Sequence, residues 1–76
     1  MKHTLDKLAE GASARVQALH STGPIRSRLQ DIGLIPGTKV TCVQVGTGLA
    51  AYRIRGAVIA LRDQDARDVT IDEDRF

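Results

Sequence analysis

Pro24-Ile-Arg-Ser-Arg-Leu-Gln-Asp-Ile-Gly-Leu-Ile-Pro-Gly37 reads as a short helix with its own start, its own stop and a turn directly after it. Pro24 suits a first helical position, where its φ is already near the helical value and the N–H it lacks has no acceptor to miss. Ile25, Leu29 and Ile32 recur at i, i+4 and i+7 and define one apolar face. Gly33 falls where a left-handed residue ends a helix without a Cβ clash, and Leu34 falls where it packs back on Leu29 in a Schellman stop. Ile35-Pro-Gly-Thr38 then puts Pro36 and Gly37 at the two central positions of a type II turn.

Outward from this unit the chain reads mostly as strands. Upstream, Thr4-Leu-Asp-Lys-Leu8 predicts a single helical turn capped by Thr4, with Leu5 and Leu8 inward. Glu10-Gly-Ala12 turns the chain. Ser13 to Leu19 alternates Ala14, Val16 and Ala18 with Arg15 and Gln17, the period of a half-buried strand. Thr22 or Gly23 caps the central helix. Downstream, Lys39 to Val45 is dense in β-branched residues and predicts a strand with Val40 and Cys42 on one face, Val43 and Val45 on the other, both partly covered. Gly46-Thr-Gly48 marks a hairpin, followed by a strand from Leu49 to Arg55 with Tyr52 and Ile54 opposite Arg53 and Arg55. Gly56 turns into a strand over Ala57–Leu61 with Ile59 and Leu61 inward. Residues 62–66 predict one 3₁₀ turn, Val69–Ile71 a last strand, and 72–76 a frayed polar end. About five short strands with glycine turns predict a mainly β protein, a small barrel with one inserted helix, in a single domain over residues 1–76. Closing that sheet removes its exposed edges.

Composition narrows the function. Seventy-six residues with one Phe, one Tyr and no Trp leave the core to small aliphatic side chains. A single cysteine allows no internal disulfide and fits a reducing cytosol. No signal peptide is read at the start, and the longest apolar run, Ala57–Leu61, is too short to span a bilayer. The net charge of +2 is unevenly spread: residues 11–62 hold seven basic residues against Asp31 alone, whereas residues 63–76 hold six acidic against two basic. Such a basic body attracts an anionic partner or pairs with its own acidic tail.

The chemistry-bearing residues are few. His3 and His20 have no Ser, Cys or carboxylate beside them in a nucleophile–base pattern, so no enzyme is predicted. Cys42 with two scattered histidines lacks metal-ligand spacing and reads as core, and no cofactor is predicted. Gly46-x-Gly48 lacks the helix and the Lys-Ser/Thr of a phosphate loop. Arg53 and Arg55 beside Tyr52 keep open a small nucleic-acid-binding barrel, although Tyr52 points opposite to them.

Several of these residues carry a resemblance. Arg28-Leu29 with Asp31-x-Gly33-Leu34-x-Pro36-Gly37, then Tyr52-Arg-Ile-Arg-Gly56 and Ile59-Ala-Leu-Arg62, after an opening Leu5-x-x-Leu8-x-x-Gly11, resemble the FeoA family of ferrous iron uptake. The same domain type is appended to some metal-dependent repressors. Val45-Gly-Thr-Gly-Leu49 departs from the Pro-Leu-Gly-Asp-Pro-like hairpin of many members. The resemblance implies an SH3-like barrel and a cytoplasmic accessory protein. It also implies a partner, a FeoB-like membrane transporter with a cytosolic GTPase domain, so that the membrane is met only through the partner. Weak self-association is a further partner expectation, and nucleic acid is the alternative rather than the expected one. Transition-metal binding is a family-level association without ligands in this sequence.

A barrel filled by Val16, Val40, Ile54 and Ile59 must bind through loops or its outer face. Ile35 beyond the helix stop, Arg26 nearby, Leu49 after the paired glycines and outward Arg53 are the residues expected to meet the partner, aliphatic side chains beside arginines.

Overall fold

The computed structural model describes residues 2–73. Six strands run in chain order, with a 3₁₀ turn and two helices between them: β1 Lys2–Thr4, the 3₁₀ turn Leu5–Lys7, β2 Ser13–Leu19, α1 Gly23–Asp31, β3 Lys39–Val45, β4 Leu49–Ile54, β5 Ala57–Arg62, α2 Asp63–Ala66 and β6 Val69–Glu73. All pairings are antiparallel, in the order β1-β6-β2-β3-β4-β5.

The helix stop is built as the sequence reads. The Leu34 amide donates to the Leu29 carbonyl at 3.0 Å and the Gly33 amide to the Gln30 carbonyl at 3.0 Å, the two bonds of a Schellman motif. Gly33 has φ +107°, and Leu29 and Leu34 are both buried. The type II turn follows: the Thr38 amide donates to the Ile35 carbonyl at 3.1 Å, and Gly37 has φ +93°. This turn is stitched to β2, because the Gly37 amide donates to the Val16 carbonyl and the Val16 amide to the Thr38 carbonyl.

One apolar cluster gathers the inward side chains of the sheet. Val16, Val40, Cys42, Tyr52, Ile54, Leu61, Val69 and Ile71 meet Leu5 and Leu8 from the 3₁₀ turn and Leu29 and Leu34 from the helix unit. A single sheet can enclose such a cluster only by curling around it. Tyr52 is wholly inside, its hydroxyl donating to the Leu5 carbonyl at 3.4 Å. Ile59 is partly buried against the cluster.

Several expectations change. The sixth strand, β1, carries no local signal: its register, Lys2 with Asp72 and Thr4 with Thr70, is set by a partner at the far end of the chain. With Asp72 paired to Lys2 and to Arg15, and Glu73 paired to Ala14 of β2, β6 runs to Glu73, so the expected fray at Asp72 and Glu73 is absent, and 74–76 lie outside the described residues. Arg55 is not in β4 but in a two-residue turn with Gly56. Both have positive φ, +53° and +83°, as a type I′ hairpin requires. Residues 63–66 form one α-helical turn that buries Ala66, not a 3₁₀ turn. Thr4 caps nothing with its side chain but donates to the Asp6 carboxylate, and Thr22 sits at the N-cap of α1 without a side-chain bond. Ile25 is exposed, because α1 meets the core only through its last turn, Leu29 and Ile32.

Two differences shape the surface. A bulge between Cys42 and Gln44 throws Val43 out of register with β4, and Val43 and Val45 are exposed rather than covered. Among the described residues the sheet does not close into a ring of paired strands: β5 pairs with β4 alone and keeps a free edge.

Candidate protein-interaction surface

The residues expected to meet a partner fall into two groups, Leu49 and Arg53 on β4 and Arg26 and Ile35 on the helix unit. On β4, Leu49, Ala51 and Arg53 alternate outward against buried Ala50, Tyr52 and Ile54. Leu49 and Arg53 therefore share the outer face, about 13 Å apart at the rise of a strand. Leu49 is 47% exposed and lies opposite Arg62 of β5; Arg53 lies opposite Val58, which is 52% exposed. Ile35, 37% exposed, belongs to the other end of the sheet, where the type II turn leads into β3 and Val40 pairs with Ile54. The fold thus brings Leu49 and Arg53 onto one surface and sets Ile35 apart from Leu49. Arg26 has a structural bond as well: its Nη1 donates to the Leu19 carbonyl at 2.7 Å, pinning the start of α1 to the end of β2.

Exposed Val43, Val45 and Val58 add apolar surface that sequence reasoning did not select. Val58 was legible in principle, since it alternates with inward Ile59; Val43 was not, because the bulge depends on the partner strand.

Charge on this side is basic and uncommitted. Among the described residues, Arg28, Arg53, Arg55 and Arg62 make no hydrogen bond or ion pair. Arg15 instead donates to the Gly37 carbonyl, Arg67 approaches Asp6 at 3.9 Å, and His3 pairs with Glu73 at 2.9 Å. Among the described residues these four arginines are therefore not neutralised by the acidic stretch 63–73.

The buried titratable groups serve the core. Burial raises the Cys42 thiol, with the Glu10 carboxylate adding to the effect against a lowering backbone bond from Gln44. Burial, with smaller contributions from the charges of Cys42, Asp63 and Asp6, pushes the Tyr52 phenol up to about 12. Both groups stay neutral at physiological pH, which suits packing rather than nucleophilic work. Among the described residues no three His, Cys, Asp or Glu side chains gather into a metal-holding group, and no helix is long and apolar enough to cross a membrane.

Comparison with curated protein sequences gives no match. Solved structures do match. The crystal structure of an iron uptake regulatory protein, FeoA, aligns over 96% of this chain and 97% of its own at 20% identity, with a TM-score of 0.87. Stenotrophomonas maltophilia FeoA, solved with zinc, aligns over 91% and 88% at 28% identity and a TM-score of 0.81. It is described as an SH3 domain protein suggested as a ferrous iron transport activating factor. T. acidophilum IdeR shares the fold over 96% of this chain but only 34% of its own, at 22% identity and a TM-score of 0.86. The small antiparallel sheet with one inserted helix is therefore SH3-like. With a match to the FeoA domain that runs from residue 3 to residue 73, nearly the whole chain, this protein belongs to the FeoA family.

Proposed function

We propose that this protein is a cytoplasmic accessory of bacterial ferrous iron uptake that binds the cytosolic GTPase domain of a FeoB-type transporter and modulates it by contact. Iron is then the transporter's cargo and needs no ligand set here. The observation that carries the reading is the outer face of β4, where Leu49 and Arg53 stand uncovered beside Val58 and Arg62. An aliphatic centre with a rim of unpaired arginines has the makeup of an interface rather than of a substrate site. Ile35 and Arg26 extend the contact toward the helix unit.

The test is titration of the transporter's cytosolic domain with folded variants. Leu49→Ser and Ile35→Ser are expected to weaken binding, and Arg53→Glu to weaken it with a loss that shrinks at high salt. Wild-type affinity in all three removes this surface. The four uncommitted arginines also favour a second reading, a nucleic-acid-binding barrel, against which stands the burial of Tyr52, the one Tyr or Trp ring available for base stacking. Affinity for single-stranded RNA that falls steeply with salt supports that second reading.

A further inference from the structure

β5 ends the sheet with an edge whose chemistry follows from its hairpin. The type I′ turn makes Ile54 and Ala57 a hydrogen-bonded pair, and such pairs alternate along an antiparallel ladder. Tyr52 with Ile59 and Ala50 with Leu61 come next, and the 3.0 Å bond from the Asp63 amide to the Gly48 carbonyl continues the alternation. Val58, Ala60 and Arg62 hold the other positions, so their amides and carbonyls point away from β4 into the open. The edge lacks the usual protection: β5 contains no Pro, its register with β4 has no bulge, and its one charge is at its end.

The free edge runs along a groove of about 380 Å³ between β5 and α1. Leu29, Ile32 and Ile59 supply the apolar part of a groove whose exposed lining is mostly polar, with Arg28 on the helix side and Arg62 and Asp65 at one end. Arg55 lies outside the lining, in the turn before β5, with its side chain against Gly33 just past α1. A segment laid on β5 therefore meets an unpaired arginine at each end and a third across the groove, against one carboxylate.

We propose that this groove takes an extended acidic segment of a partner protein, added to β5 as a seventh strand. The Val58 and Ala60 main-chain groups supply the ladder, one aliphatic side chain of the segment enters between Ile32 and Ile59, and its flanking carboxylates meet Arg55, Arg28 and Arg62. The proposal rests on the partner-binding reading above and names the chemistry that is recognised. A second copy fits the edge less well, since β5 itself, Ala57–Arg62, carries no carboxylate to meet these arginines.

The experiment uses the isotope-labelled full chain and a peptide blocked at both ends, Asp-Val-Glu-Leu-Glu-Val-Asp, with a lysine counterpart carrying Lys at the four acidic positions. The acidic peptide is expected to shift the amides of Val58, Ala60 and Arg62 and to slow their hydrogen exchange. Ala60→Pro removes an outward N–H without touching the β4 ladder, so the variant keeps its fold and binds at least about tenfold more weakly, the equivalent of one to two main-chain bonds. Arg28→Glu gives a second reading on the far wall and weakens binding with the main chain intact. Both variants are then titrated against the transporter's cytosolic domain. Loss of both peptide and domain binding in the variants supports the inference. Equal binding of the lysine peptide overturns it, as do amide shifts that follow protein concentration without peptide, the mark of a second copy. Domain binding unchanged in both variants, with no peptide effect, overturns the groove while leaving the partner reading standing. A domain that does not bind the wild-type chain overturns the partner reading, and the peptide titration then decides the groove by itself.

Discussion

Replacing Gly33 tests the helix stop and the tertiary approach that surrounds it. At φ +107° any L side chain is strained, at a cost of roughly 1–3 kcal/mol. A Cβ there would also come within 2.8 Å of Arg55 Cδ and 3.2 Å of Ile54 Cγ2. The Arg55 end is flexible and moves aside; Ile54, 1% exposed, is held in the core and has to give. Overpacking of this kind adds about 1–3 kcal/mol, so Gly33→Val is expected to cost about 2–6 kcal/mol in total. A domain of this size has only about 4–11 kcal/mol to lose, at the usual stability per residue, so partial unfolding follows. Gly37 provides the control. It shares the positive φ, +93°, but a Cβ there meets nothing within 4 Å. Urea unfolding of Gly33→Ala and Gly37→Ala, followed by circular dichroism, separates backbone strain from crowding. Gly33→Ala is expected to be the more destabilised by about 1 kcal/mol or more, and Arg55→Ala to recover part of the difference. Equal midpoints for the two alanine variants refute the crowding argument. A Gly33→Val variant that melts within a degree or two of wild type refutes the helix stop itself.

Tyr52 is the only tyrosine and there is no tryptophan, so tyrosinate absorbance reports one residue. With its pKa pushed up to about 12 in the fold against about 10 unfolded, the folded state keeps the proton longer. Stability is therefore full below pH 10 and is lost as pH rises toward 12; ionisation near pH 10 with unchanged circular dichroism refutes this. Cys42 is buried and its thiol raised, so Cys42→Ala or Cys42→Val is expected to leave support of iron uptake intact, and a thiol reagent is expected to label native protein only as fast as it unfolds. Rapid labelling of the folded chain, or a folded variant without transport support, argues for a redox or metal role. Arg26→Ala removes the bond to the Leu19 carbonyl and is expected to cost about 1 kcal/mol in a chemical melt. An unchanged melt together with weaker partner binding assigns Arg26 to the interface alone.

Much of the candidate surface was legible because alternation places side chains before any partner is known. Leu49 and Arg53 fall outward, and Tyr52 and Ile54 inward, by the period of a strand alone. The apolar content of that surface was under-read, since Val43 and Val45 owe their exposure to a bulge that exists only against β4. The sequence Arg-Ile-Arg-Gly carries no mark of where the two-residue turn begins, so alternation alone extends the strand through Arg55.

Steric limits and short hydrogen bonds among a few neighbouring residues fix the local features of this chain. The stop of α1 at Gly33 with Leu34 folded back on Leu29, the type II turn at Pro36-Gly37 and the faces of β4 belong to this class, whereas α1 starts at Gly23, one residue before Pro24, and a bulge between Val16 and Ala18 turns Leu19 rather than Ala18 into the core. Long-range packing set the pairing of β1 with β6 and the wedge of Arg55 against Gly33. It alone also decided the uncommitted arginines and the open edge of β5. Each of these depends on groups far apart in the chain, 70 residues apart for His3 and Glu73, whose meeting no local propensity encodes.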